Sequence, residues 1–197
     1  MAFVNVPSRE IFLKIVYYGA GLCGKTANVE HVHARAPQVA RGNLVSLKTE
    51  SERTLFFDFM PLEVGQLRGY RVRLHLYTVP GQVFYKASRK LILKGVDGIV
   101  FVVDSQSARL EANLEALEDL GDNLAELGDS LREIPCVVQY NKRDLPEIEP
   151  VPRLRALLNP MGAPEVESAA KSGVGVMETL QAVSRGVLQR MGGRKVA

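Results

Sequence analysis

Cysteine is scarce in this 197-residue chain: Cys23 and Cys136 are the only two. They form no CxxC pair, so neither a disulfide framework nor a thiolate zinc site is encoded, and a reducing cytoplasm is the expected setting. A dominant sign of charge is also missing. Twenty-five Lys and Arg against 22 Asp and Glu leave a net +3, too small an excess to argue for nucleic acid. Long apolar runs are absent as well. The longest, such as residues 99–103, are strand-sized and far short of a membrane span. Residues 1–10 lack the cationic and apolar regions of a signal peptide. Ala2 stands where myristoylation needs glycine, and residues 193–197 offer no cysteine for prenylation. The expectation is a chain whose membrane contact is only peripheral, through a partner or a basic surface. With 46% hydrophobic and 24% charged residues, the composition is that of an ordinary globular protein. There is no repeat, linker or low-complexity tract, so residues 1–197 are expected to form a single domain.

What is present is alternation. Short apolar runs are followed by longer helical patterns, the signature of βαβ units and a mostly parallel sheet. Strands are expected at 11–18, 55–59, 72–77, 98–104, 136–140 and, weakly, 165–168. Helices are expected at 26–36, 83–94, 109–127, 152–158 and 175–191. Residues 65–69 read as the turn of an antiparallel hairpin. In 83–94 Leu91 is placed on the apolar side, with Lys86, Arg89 and Lys90 outward. In 109–127 Leu110, Leu114, Leu117, Leu120 and Leu124 recur at helical spacing. The fold class is therefore α/β, a single P-loop domain with a six-stranded, mostly parallel sheet and about five helices on both faces.

Gly19-Ala20-Gly21-Leu22-Cys23-Gly24-Lys25-Thr26 fits GxxxxGK[ST] in full, with an expected strand before it and a helix after it. Backbone N–H groups that wrap a pyrophosphate need glycines, because side chains block the approach. Lys25 supplies an ammonium for the β- and γ-phosphates, and the Thr26 hydroxyl is a hard oxygen ligand for Mg²⁺. The helix that opens through Ala27 adds its positive end.

A phosphate loop alone does not separate ATP from GTP. Asn141-Lys142-Arg143-Asp144, straight after the strand at 136–140, does. Guanine presents an N1–H and an N2 amine side by side, which the Asp144 carboxylate accepts bidentately; adenine has no such pair, and a site built this way rejects it strongly. Asn141 is expected to brace the loop and Lys142 to lie along the base plane. Ala169-Ala170-Lys171 stands where a backbone N–H meets guanine O6, the plainer reading being an ordinary loop.

With these motifs in this order the sequence resembles the Ras-like small GTPases across nearly its whole length. It resembles most closely the bacterial mutual gliding-motility (MglA) family. That resemblance is carried by Lys14-Ile-Val-Tyr-Tyr-Gly19, Glu52-Arg-Thr-Leu-Phe-Phe-Asp-Phe59, His75-Leu-Tyr-Thr-Val-Pro-Gly-Gln-Val-Phe-Tyr85 and Ala87-Ser-Arg-Lys-Leu-Ile-Leu-Lys-Gly-Val-Asp97. It implies a GTP/GDP switch with Mg²⁺, slow hydrolysis, a role in cell polarity or gliding motility, and effectors that bind the GTP state. It also implies a Roadblock-type, MglB-like activating protein and recruitment to cell poles or membrane-associated complexes.

The resemblance further implies that Gln82, after Gly81, positions the attacking water and that Arg53 is an arginine finger supplied in cis. Thr54 is expected to close on Mg²⁺ and the γ-phosphate, with Thr49 as its rival. Thr78 departs from the small-GTPase pattern. It opens Thr78-Val-Pro-Gly81, where such proteins generally carry the aspartate that holds Mg²⁺ through water, so support of the metal must differ here or be weaker.

Other residues have plainer readings. His31 and His33, two apart on a helix, face different ways and make poor ligands. His75 alternates with Leu74 and Leu76 and reads as packed. Cys23 sits where its thiol could be activated. Two competing functions remain: a metabolic kinase, for which no lid-sized insertion exists, and a scaffold that holds nucleotide without turnover, against which Lys25, Thr26, Arg53 and Gln82 count.

Overall fold

The computed structural model describes residues 3–48, 54–81 and 86–193. In chain order they form β1 (Phe3–Asn5), β2 (Glu10–Tyr18), α1 (Lys25–Arg35), β3 (Val45–Lys48), β4 (Thr54–Leu67), β5 (Tyr70–Thr78), α2 (Lys86–Leu93) and β6 (Gly98–Asp104). A 3₁₀ turn (Ser107–Arg109) then leads into α3 (Leu110–Glu126), β7 (Cys136–Asn141), α4 (Val151–Leu158), β8 (Glu165–Glu167) and α5 (Val176–Gly193).

One sheet runs β3-β4-β5-β2-β6-β7-β8, with β1 antiparallel to the start of β2. The strands from β5 to β8 are parallel; β3, β4 and β5 pair antiparallel. The sheet therefore has eight strands among the described residues where six were expected. The additions are the short β1 and β3, which carry no strong alternation. β6 is buried along its entire length, as a run covered on both faces must be. Its side chains sort by parity. Val100 and Val102 join the core beneath α1 and α5, with Val29, Val32, Val183 and Val187. Ile99, Phe101 and Val103 join the core beneath α2, α3 and α4, with Leu93, Leu120 and Leu154.

Three local expectations are corrected. The strand at 55–59 is the start of the much longer β4, and Gly65 is not in a turn: it sits at a bulge within β4. The turn itself is Arg68-Gly69, with φ of 51° and 82°, as a two-residue type I′ hairpin loop requires. On α2 Leu91 and Arg89 exchange places, while Lys90 stays at the surface as expected. Leu91 is 72% exposed and Arg89 only 4%, because Arg89 finds polar partners inside: Nε donates to the Pro80 carbonyl at 2.9 Å and the guanidinium pairs with Asp119 at 2.6 Å. The basic surface of α2 is therefore smaller than its sequence suggests. On α3 the expected apolar stripe loses Leu114, which is exposed, while Leu120 and Leu124 are fully buried.

Candidate functional site

The parallel strands β2, β6 and β7 end on the same edge, where ligands of open α/β sheets bind. Tyr18 ends β2, Asp104 ends β6 and Asn141 ends β7. The loop at 19–24 leads into α1, whose first turn has no side-chain cap and no acidic residue. Its leading N–H groups are thus left for an anion. The Ala27 methyl packs against the core, leaving only its backbone to the site.

Within the loop Cys23 and Ala20 are buried and Leu22 points out, 77% exposed, at a φ of 63°. The buried Lys25 ammonium donates to the Gly19 and Ala20 carbonyls at 2.9 and 2.7 Å. Burial lowers its pKa from the usual lysine value, which an anion beside it would oppose.

Gly24 is tied to the neighbouring motif. Its φ is 105°, and a Cβ there would lie 2.2 Å from Asn141 Nδ2. That close approach lets Asn141 Nδ2 donate to the Cys23 carbonyl at 2.7 Å. Asn141 Oδ1 accepts from Ser168 Oγ at 3.0 Å and from the Ala170 N–H at 2.9 Å. One buried side chain thus joins the phosphate loop, the strand end bearing Asp144 and the loop at 168–171. The Ala170 N–H is engaged by Asn141 rather than presented free. Asp144 and Lys171 are exposed. The Lys142 ammonium donates to the buried Asp104 carboxylate at 2.7 Å. Arg109 lies 3.9 Å from the same carboxylate and donates to the Gly21 carbonyl at 2.9 Å. Sequence reasoning missed both Asp104 and Arg109.

Gly81 approaches the loop from the β5 side: a Cβ on it would lie 2.4 Å from Gly21 Cα and 3.3 Å from Lys25 Nζ. Thr78, three residues earlier, donates to Asp58 Oδ2 at 2.9 Å and accepts from the Asp58 N–H at 2.8 Å. Thr26 Oγ1 donates to the same Oδ2 at 2.7 Å, and Ser46 Oγ donates to Oδ1. Asp58, 1% exposed, is thus a carboxylate set beside the expected metal ligand, and the motif search passed over it. Thr54 begins β4 opposite Lys48; its side chain, like Arg53, Gln82 and the rival Thr49, lies outside the described residues. No cluster of three or more His, Cys, Asp or Glu able to hold a metal exists among the described residues.

The plainer readings also find places. The His75 ring packs against Phe12 and Phe59 at centroid distances of 5.2 and 5.3 Å. A cavity of about 430 Å³ lined by Ile134, Pro135, Met161 and Val183 lies at the opposite end of β7, remote from these motifs.

Comparison with known proteins points the same way. A model of the ADP-ribosylation factor family matches residues 44–187, which takes in Thr78–Gly81, the Asn141 motif and Ala170 but begins beyond the phosphate loop. Over 191 residues the chain is 58% identical to the mutual gliding-motility protein MglA of Myxococcus xanthus (strain DK1622), covering 97% of this chain and 98% of that protein.

Proposed function

From the premise that the chain belongs to the ADP-ribosylation factor family of small GTPases and to the MglA proteins within the Ras-like fold, we propose a GTP/GDP switch serving gliding motility and cell polarity. The observation that carries the site assignment is Asn141, whose two amide atoms hold the phosphate loop and the loop at 168–171 in one frame. In this reading residues 19–27 cradle the phosphates, Lys25 neutralises the β- and γ-oxygens, and Asp144 reads guanine with Lys142 and the 170–171 backbone beside the base. Gln82 orients the attacking water and Arg53 offsets the charge that develops on the γ-phosphate. The Thr26 hydroxyl, joined by Thr54, would hold Mg²⁺, which would supply positive charge against the phosphates. Thr26 suits this role because its hydroxyl donates its one proton to the Asp58 carboxylate, which strengthens the oxygen as a ligand for a cation.

The partners proposed are a Roadblock-type, MglB-like activating protein and effectors that bind the GTP state, with no nucleic acid. No described helix is long and apolar enough to cross a membrane. We place the protein in the cytoplasm, recruited by partners to poles or membrane-associated complexes. Guanine specificity is the test. In competition titrations GTP and GDP should outbind ATP by about 10⁴-fold, as expected of a site built on paired hydrogen bonds. Asp144→Asn should weaken guanine nucleotides and shift preference toward xanthine nucleotides. Equal affinity for ATP and GTP would overturn the assignment.

A further inference from the structure

Thr78 removes a carboxylate from the start of the Thr78–Gly81 segment, yet a buried carboxylate still stands at the phosphate site. It comes from the adjacent strand. The β4–β5 register sets Phe59 opposite Tyr77, which leaves Asp58 beside Thr78. The Thr78 hydroxyl is turned to the aspartate there, accepting from the Asp58 N–H and donating to Oδ2. Its job is to fix the aspartate. Oδ2 also receives the Thr26 proton, and Oδ1 receives that of Ser46. An ionised carboxylate offers about four acceptor positions; three hydroxyls occupy three of them. An anion 1% exposed and bonded to neutral hydroxyls is costly unless a cation lies close by. Among the described residues Asp58 forms no salt bridge, while Lys25 is near enough to interact with it through space.

We propose that Asp58 is the carboxylate that supports Mg²⁺ in this protein: it orients the Thr26 hydroxyl toward the ion and accepts from a metal-bound water at its remaining acceptor position. The role has moved one strand sideways, from β5 to β4, with Thr78 as the positioning residue. This rests on the Mg²⁺ reading given above.

The experiment measures release of N-methylanthraniloyl-GDP against free Mg²⁺ for wild type, Asp58→Asn, Thr78→Asp and the exchange Asp58→Thr with Thr78→Asp. Partners that orient a metal ligand are worth about 10–100-fold in metal affinity. Asp58→Asn should therefore raise the Mg²⁺ concentration that half-suppresses release by that factor while guanine preference stays unchanged. Thr78→Asp alone should impair Mg²⁺ dependence, because it sets a second carboxylate against the first. The exchange should recover it, since one carboxylate is again present. A folded Asp58→Asn whose Mg²⁺ midpoint stays within twofold of wild type would overturn the proposal. So would a folded exchange variant with no Mg²⁺ dependence, which keeps the test open if Asp58→Asn does not fold. Wild-type release indifferent to Mg²⁺ would remove the Mg²⁺ reading itself, and the assignment of Asp58 with it; failure of the variants alone removes only the latter.

Discussion

His75 shows how a single side chain can be legible as to place and still carry a consequence. Its ring lies between Phe12 and Phe59, with Arg73 and Lys14 near it. Burial first, and those two cations second, hold its pKa below the ordinary histidine value. The unfolded chain therefore takes up a proton at higher pH than the folded one. Stability from this residue is complete above the ordinary histidine pKa of about 6.5 and is lost as the pH falls through it. Wild type should thus lose more in thermal midpoint between pH 8 and pH 5.5 than His75→Phe, whose ring fits the same aromatic neighbours. Equal losses in the two proteins would refute the argument. Asn141 and Asp58 mark the other limits of legibility at this scale. Asn141 belongs to a contiguous motif whose chemistry needs those residue types in that order. Asp58 acts through strand register, placing it next to a threonine 20 positions away, and no local pattern announces that.

At the scale of elements, α2 is tied down by a buried cation. Arg89 donates to the Pro80 carbonyl and pairs with Asp119 on α3, which also accepts from the Tyr18 hydroxyl. The end of the phosphate-loop strand, the turn that presents Gly81, α2 and α3 thus meet around the Arg89–Asp119 pair. Members of one such network are coupled by about 0.5–3 kcal/mol. In urea unfolding, Arg89→Lys and Asp119→Asn should show a coupling above about 1 kcal/mol in a double-mutant cycle; additivity within about 0.5 kcal/mol would remove the network. Periodicity could not find this, because the partners that make burial of Arg89 tolerable lie 9 and 30 residues away. By contrast β6 and β7 were legible to the residue or nearly so, since strands covered on both faces must be continuously apolar. The second half of β4 was not. Pro61 and Gly65 interrupt it, and both are ordinarily signs of a turn; here the chain absorbs Gly65 as a bulge and keeps pairing with β5 as far as Leu67.

At the scale of the whole molecule, the phosphate loop is approached from two sides. β7 and β8 bring the two loops proposed to read the base, with Asn141 bonded into the phosphate loop. β4 and β5 bring Asp58, Thr78 and Gly81. Arg53 directly precedes β4 and Gln82 directly follows Gly81, so both proposed catalytic groups are attached to the β4–β5 side. A partner that grips this side can act on both without donating a residue of its own. Intrinsic hydrolysis should then be slow, roughly 10⁻⁴ to 10⁻² per second, as in unassisted small GTPases. A Roadblock-type partner should accelerate it. An arginine finger is worth about 10³ to 10⁵ in rate, so Arg53→Ala should abolish most of that acceleration while GTP affinity changes little, the pattern of a group used only in the transition state. Gln82→Leu should behave alike, because it removes the group that orients water. Single-turnover hydrolysis of wild type and both variants, with and without the partner, decides the matter. If Arg53→Ala is stimulated as fully as wild type, the charge on the γ-phosphate is neutralised from outside the chain, and the cis assignment of Arg53 is lost.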